Sequence, residues 1–107
     1  MKKSKLKTFG AVRKPSGRVI IEGLTPWHVD HLNDKLSHFC FHKIESKKMT
    51  DQVVGWAGNS LVKRLQDRTI KTIGLNPMEV GLLILALAIY DDIPWVNLKS
   101  QLHRYML

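Results

Sequence analysis

Apolar residues recur at helical steps in the first half of the chain, directly after a strong helix-start signal. Thr25 can cap the free backbone amides of a helix, and Pro26 suits the first helical position because no N–H donor is needed there. The apolar positions that follow define one buried face: Val29, Leu32, Leu36, Phe39 and Cys40. The pattern predicts a first helix that ends near Lys47 and Lys48.

A second helix is predicted from residue 51 to about residue 71, with Thr50 as its cap. Gly55 and Gly58 lower its intrinsic helicity, but small residues let a neighbouring helix approach closely. The buried stripe predicted for this helix consists of Val54, Ala57, Leu61 and Leu65.

The third helix has the clearest start signal, because Asn76 can cap it, Pro77 fits its first position and Glu79 completes a capping box. Its body, VGLLILALAIY, is apolar on every side, so it must be surrounded by the other helices or by a partner subunit. Truncation of each of three consecutive residues, Leu83, Ile84 and Leu85, is therefore expected to be costly. A fourth helix is predicted from residue 94 to about residue 106, with Trp95, Leu98, Leu102 and Tyr105 turned inward.

Residues 18–24 concentrate β-branched side chains and predict one short strand, which either lies across the helices or pairs with another copy. Gly10, Pro15 and Gly17 discourage regular structure before it. Together these patterns predict an all-α fold: a compact bundle of about four helices, with a basic extended arm and possibly one short strand. The expected organisation is a flexible arm at residues 1–17, whose deletion leaves the fold intact, and a single helical domain at residues 18–107.

The net charge of +8 is concentrated at one end of the chain. Residues 1–18 hold seven basic residues and no acidic residue, whereas residues 19–107 hold ten basic and nine acidic residues. A basic block of this kind is typical of an arm that neutralises phosphates in a salt-dependent manner; the alternative is a solvated tail that aids solubility. The predicted nucleic-acid contacts are this block and three cations of the second helix: Lys2, Lys3, Lys5, Lys7, Arg13, Lys14, Arg18, Lys63, Arg64 and Arg68.

Aromatic and histidine side chains outside the apolar faces are candidates for binding a protein partner. Trp56 lies opposite the core stripe of the second helix and Phe41 lies off the apolar arc of the first, while His38 and His42 belong to a polar stripe on that helix. This stripe could bind a metal ion, form a pH-sensitive contact face or be an ordinary solvated face. We expect no metal and no cofactor. The full stripe is His31, Asp34, His38, His42 and Glu45.

The sequence contains no motif that predicts catalysis. It has no glycine-rich phosphate loop, nucleophile elbow, HExxH or paired cysteines, and Cys40 is predicted to face the core. A lone cysteine favours a reducing compartment, and the longest apolar run, residues 80–90, is too short to span a bilayer. We therefore expect a cytoplasmic binding protein with no enzymatic activity and no membrane contact; for a viral protein the location would be the host cytoplasm or the virion.

Two segments resemble parts of DNA-binding families. Residues 75–102, LNPMEVGLLILALAIYDDIPWVNLKSQL, resemble the first two helices of a winged-helix or helix-turn-helix repressor domain, in which a recognition helix follows. Residues 18–32, RVIIEGLTPWHVDHL, are similar to the strand-then-helix opening of ribbon-helix-helix dimers, although their apolar residues do not alternate. Both resemblances imply DNA binding, and both cover too little of the chain to identify it.

The expected function is a small nucleic-acid-associated protein, with the arm on phosphates and the helical body mediating protein association or self-association. A body of net charge +1 is a poor electrostatic match for a duplex, so contact with nucleic acid should occur through the arm. The alternative is a structural or inhibitory subunit, such as a virion component or a binder of a host complex, with no direct role on nucleic acid.

Overall fold

A computed structural model describes residues 8–105. Within this range the chain forms three short strands and four helices, and the last strand lies between the second and third helices. In chain order the elements are β1 (Gly10–Arg13), β2 (Val19–Glu22), α1 (Pro26–Glu45), α2 (Met49–Arg64), β3 (Ile73–Leu75), α3 (Pro77–Ala86) and α4 (Trp95–Tyr105).

The predicted all-α bundle with one strand is wrong, because the strands form a three-stranded antiparallel sheet in the order β1-β2-β3. Ala11 pairs with Ile21 across the first ladder, and Val19 pairs with Leu75 across the second. Pro15 and Gly17, which discouraged regular structure in the sequence, are turn residues between β1 and β2. The stretch interpreted as an extended arm therefore contributes the edge strand of a hairpin.

Packing ties β1 to the rest of the fold. Ala11 is buried, and its backbone N–H donates to Oε1 of Gln101 on α4 at 2.8 Å. Phe9 packs against the core just before the strand. Deletion of residues 1–17 would thus remove a sheet strand and core contacts, contrary to the expectation that the fold stays intact.

From the sequence, β2 was expected either to lie across the helices or to pair with another copy of the chain. Its central position in the sheet excludes the pairing with another copy. This strand has a hydrogen-bonded neighbour on each side within the same chain. It therefore cannot form the intermolecular ribbon that the resemblance to ribbon-helix-helix dimers implied.

The start of α1 is as predicted, and so is its buried face except at Phe39, which is only partly buried. The Thr25 side chain accepts from the backbone N–H of His28, Pro26 is the first helical residue, and Val29, Leu32, Leu36 and Cys40 are buried. His28 completes the capping box, a position that Glu or Gln more often holds.

Helix α2 ends seven residues earlier than predicted, and it has no side-chain cap. Asp67 gives a local reason for the end, since its Oδ1 accepts from the backbone N–H of Thr69 at 2.9 Å, a bond that competes with helix continuation. The chain then enters β3. Gly58 is buried against α1, where a Cβ would lie 2.5 Å from Sγ of Cys40, so the close approach predicted from the glycines is confirmed.

Helix α3 has the predicted capping box between Asn76 and Glu79 but is not enclosed on every side. Leu83 is 1% exposed and Ile84 is buried, whereas Leu85 is 57% exposed. The other helices therefore do not surround α3 completely, because no element of the described chain covers Leu85; the alternative expectation, a partner subunit on that side, stays a prediction.

The core lies between the inner face of the sheet and the four helices. Helix α4 contributes Trp95, Leu98 and Leu102, all buried as predicted. The other fully buried large side chains come from β2, α1, the end of α2 and the α3 region: Ile21, Val29, Leu32, Leu36, Leu61, Leu65, Leu83 and Leu87. Among residues 8–105, no helix combines the length and the apolar character needed to cross a membrane.

Candidate functional site

The β1–β2 hairpin ends in a tight turn that carries three cations. The backbone N–H of Lys14 donates to the carbonyl of Arg18 at 2.8 Å, and that of Gly17 donates to the carbonyl of Lys14 at 2.7 Å. Gly17 adopts a φ of 92°, a conformation that side chains with a Cβ rarely allow. The turn thereby holds Arg13, Lys14 and Arg18, all exposed, at one end of the sheet.

These three side chains, which we call the tip cations, form no ion pair within the part of the chain that the structure describes. The guanidinium of Arg18 lies over the backbone of Gly74 in β3, where an added Cβ would be 2.7 Å from Nε. The lack of a side chain at Gly74 therefore leaves room for Arg18 to cross the sheet edge.

Two of the tip cations, Arg13 and Arg18, border a cleft between the hairpin, the start of α3 and the end of α4. Its volume is about 570 Å³, within the range of small-molecule sites. No carboxylate of the described residues lines it, so no charge in this part of its wall opposes an anion. We call this site the basic cleft; it is lined by Arg13, Ser16, Gly17, Arg18, Val19, Leu75, Asn76, Pro77, Val80 and Tyr105.

The predicted cations of α2 and of the loop after it are placed differently. Arg64 pairs with Glu79 and also donates to the carbonyl of Gly74 at 2.8 Å. Arg68 donates to Asp30 at 2.8 Å, whereas Lys63 is exposed. Two of these three cations, Arg64 and Arg68, thus form ion pairs within the chain. Neither of them lines the basic cleft.

The remaining predicted nucleic-acid contacts, Lys2, Lys3, Lys5 and Lys7, lie outside the described residues. Their contribution to the site remains a prediction from charge alone. The structure joins the tip cations into one group and separates them from the cations of α2.

The four predicted partner-binding residues are exposed, and among them His38 and His42 line a common cleft. Trp56 and Phe41 are each 60% exposed, on α2 and α1 respectively. His38 and His42 are exposed on α1, with their rings in edge contact at 4.5 Å, and they border a cleft of about 330 Å³ beside Ile89. Within residues 8–105, no group of three or more His, Cys, Asp or Glu side chains is arranged to hold a metal ion.

An aromatic cluster at the start of α1 was missed by the sequence analysis. The His28 ring stacks on Phe9 at 4.0 Å and meets Trp95 edge-on at 6.4 Å, and its Nδ1 accepts from the Thr25 N–H at 3.2 Å. Burial, with a smaller effect from nearby His31, lowers the pKa of His28. His28 at the third position of the helix was the available signal, because it stands where a capping-box acceptor belongs.

The apolar groove between α2 and α3 was also missed. It has a volume of about 470 Å³ and contains large exposed side chains, of which Met78 is 61% exposed. The signal was the apolar character of α3 on all sides, which a monomer of this size did not fully bury. We call it the α2–α3 groove; its lining is Val53, Val54, Pro77, Met78, Gly81, Leu82, Ile84, Leu85 and His103.

Cys40 does not offer a reactive thiol on the described surface. It is buried against Gly58, and burial raises the pKa of its thiol, which disfavours the nucleophilic thiolate. Its role in the fold is that of a small apolar side chain.

The sequence matches no protein-family model, no curated protein and no solved structure. The geometry and the charge of the surface are therefore the basis for a functional proposal.

Proposed function

We propose that the protein binds nucleic acid, and that the basic cleft is where it contacts the phosphate backbone. The observation that carries this proposal is the position of the tip cations. Arg13, Lys14 and Arg18 are exposed at one end of the hairpin and form no ion pair among the described residues, beside a cleft whose described lining contains no carboxylate. Free cations gathered on one surface gain counterion-release energy on a polyanion, whereas cations already paired with carboxylates gain less.

The chemistry of the cleft suits a phosphodiester. Guanidinium groups can donate two parallel hydrogen bonds to a phosphate, and two guanidinium groups, those of Arg13 and Arg18, border the cleft. The side chains of Ser16, Asn76 and Tyr105 add further polar groups to the wall. Contacts of this kind fix the protein on the backbone without reading sequence.

The charge distribution along the chain supports the same surface. Residues 1–18 contain seven basic residues and no acidic one, and the tip cations belong to this segment. The near-neutral remainder supplies protein contacts in this proposal, in a binding protein without catalytic activity. A reducing compartment, the cytoplasm, suits its single buried thiol.

A charge-matched pair of triple variants tests the proposal. The first combines Arg13→Gln, Lys14→Gln and Arg18→Gln; the control combines Lys47→Gln, Lys48→Gln and Lys71→Gln, three exposed lysines away from the cleft. Fluorescence anisotropy with a labelled duplex and a labelled single strand is recorded over a salt series. Each lost phosphate contact should lower the slope of log K against log salt by about 0.9 on a duplex.

The tip variant is expected to lose affinity and slope, while the control stays near the parent protein. Circular dichroism establishes that both variants remain folded. An equal loss in both variants would show that binding follows net charge alone and would contradict a specific cleft. Binding to heparin but to neither oligonucleotide would make the ligand another polyanion.

The competing function, a structural or inhibitory subunit with no role on nucleic acid, is favoured by one observation, the α2–α3 groove. This competing function predicts that no oligonucleotide binds to the protein, even at low salt. The same anisotropy series therefore distinguishes the two functions.

A further inference from the structure

The α2–α3 groove leaves one side of the most apolar helix in contact with solvent. Val53, Met78 and Leu85 are each more than half exposed at its edges. Leu85 also borders the cleft beside Ile89 and Tyr90, so the apolar surface continues along α3 beyond the groove. A contiguous exposed apolar surface of this kind marks an association site on a protein.

We propose that this groove is the interface through which two copies of the chain associate. Met78, Gly81 and Leu85 follow one another at steps of three and four residues, which places them on one face of α3. The missing side chain at Gly81 leaves a hollow between two large side chains. A face with both a ridge and a hollow can fit a copy of itself related by a twofold axis, with Leu85 of each copy seated beside Gly81 of the other.

Charge favours a second copy as the occupant. A twofold interface brings each surface against an identical surface, so a charged patch would repel its own copy. Among residues 8–105, no Asp, Glu, Lys or Arg side chain lines the groove, and His103 is its one titratable lining residue. The positive charge lies instead in residues 1–18, and the remaining segment is nearly neutral. Two copies can therefore meet at the groove without burying like charges.

The interface would also affect nucleic-acid binding. This consequence, unlike the interface itself, rests on the proposed function. Pro77 lines both the groove and the basic cleft. Association through the groove would therefore bring two basic clefts into one particle, and a single nucleic acid molecule would meet twice the number of tip cations. The dimer would then bind with a steeper salt dependence than a monomer.

Sedimentation velocity on the full chain without nucleic acid tests the interface. The parent protein is compared from low micromolar to submillimolar concentration with Leu85→Gln, and the matched control is Ile93→Gln, since Ile93 is 75% exposed and does not line the groove. We expect a dimer in the parent and in the control. Leu85→Gln should weaken dimerisation by more than about tenfold, as expected for a central apolar contact.

A denaturant melt supplies the second measurement and shows that the variants fold. Its midpoint should rise with protein concentration for the parent and for Ile93→Gln, but not for Leu85→Gln. A parent protein that stays monomeric at every concentration would overturn the proposal and leave the groove to a different protein partner. Equal weakening of dimerisation by Leu85→Gln and Ile93→Gln would also overturn it. Because nucleic acid is absent, this outcome is independent of whether the basic cleft binds phosphates.

Discussion

The basic cleft and the α2–α3 groove adjoin at Pro77, yet their walls have opposite chemistry. The cleft is bordered by two guanidinium groups and several hydrogen-bonding side chains, whereas the groove is lined almost entirely by aliphatic side chains and methionine. Binding in the cleft should weaken steeply with salt, while association at the groove should be nearly independent of it. A chain this short thus separates its two proposed contacts by chemistry rather than by distance.

The cations show a parallel contrast. Within residues 8–105, Arg13 and Arg18 at the hairpin tip pair with no carboxylate, while Arg64 on α2 is held by Glu79 and a backbone carbonyl. All are arginines in a basic protein, so the sequence did not distinguish them. The difference depends on Glu79, which the capping box of α3 places within reach of Arg64. Residue type alone therefore does not identify a phosphate contact.

The largest expected effect is a difference in stability between truncations on the two sides of α3. Leu83→Ala should lower the free energy of unfolding by about 2–5 kcal/mol, because Leu83 is enclosed and truncation leaves a cavity. Leu85→Ala should cost less than about 1 kcal/mol in the monomer, because its side chain is already in solvent. Urea melts at a protein concentration low enough to keep the chain monomeric measure both values. Equal losses would mean that Leu85 is enclosed and that the groove is closed in solution.

The sequence predicted what short-range chemistry determines. The caps at Thr25 and Asn76 and the buried faces of α1 and α4 depend on side chains a few positions apart. They were confirmed, except that Phe39 and Tyr105 are only partly buried. The sheet depends on pairing between β2 and β3, which are more than fifty residues apart. Such pairing leaves no periodic signal in a three-residue strand. The turn residues Pro15 and Gly17 were noticed but interpreted as breaks in structure rather than as the end of a hairpin.

The candidate site was only partly predictable for the same reason. Arg13, Lys14 and Arg18 were singled out by charge, and the structure groups them. The cleft that Arg13 and Arg18 border also requires Tyr105 and the start of α3, both distant in sequence. The ion pair between Arg68 and Asp30 was not predicted for the same reason, because the two residues are far apart in sequence. Arg68 had instead been predicted to contact nucleic acid.

A smaller effect is expected from two single substitutions, one that removes a paired cation and one that removes an unpaired cation. Arg64→Gln should lower the free energy of unfolding by about 1 kcal/mol, because it removes a partly exposed ion pair and a hydrogen bond to Gly74. Its affinity for an oligonucleotide should hardly change. Arg13→Gln should show the reverse, with unchanged stability and weaker binding. Chemical denaturation and anisotropy on the same samples provide both readouts, and weakened binding by Arg64→Gln alone would assign the contact to α2.

The smallest expected effect is a pH dependence that acts on the fold and not on the basic cleft, whose lining contains no histidine. His28 accepts the Thr25 N–H through Nδ1, which it can do only when that nitrogen is unprotonated. Burial lowers the pKa of folded His28 below its ordinary value of 6.5. As the pH falls below 6.5, the unfolded chain takes up a proton before the folded one does, so the free energy of unfolding decreases until the pH passes the folded pKa. Above 6.5 neither state carries this proton, and the contribution of His28 is constant.

His28→Gln isolates this contribution, because glutamine can occupy the same capping-box position without titrating. Urea melts of the parent and of the variant at a series of pH values should show a shallower acid-side slope for the variant. Other groups also titrate in acid, so the informative quantity is the difference between the two curves. Parallel curves would show that the folded and unfolded states bind the His28 proton equally, and the ring would then contribute to the cap without coupling it to pH. A difference confined to the range below 6.5 would establish that the aromatic cluster at the start of α1 keeps His28 neutral in the folded protein.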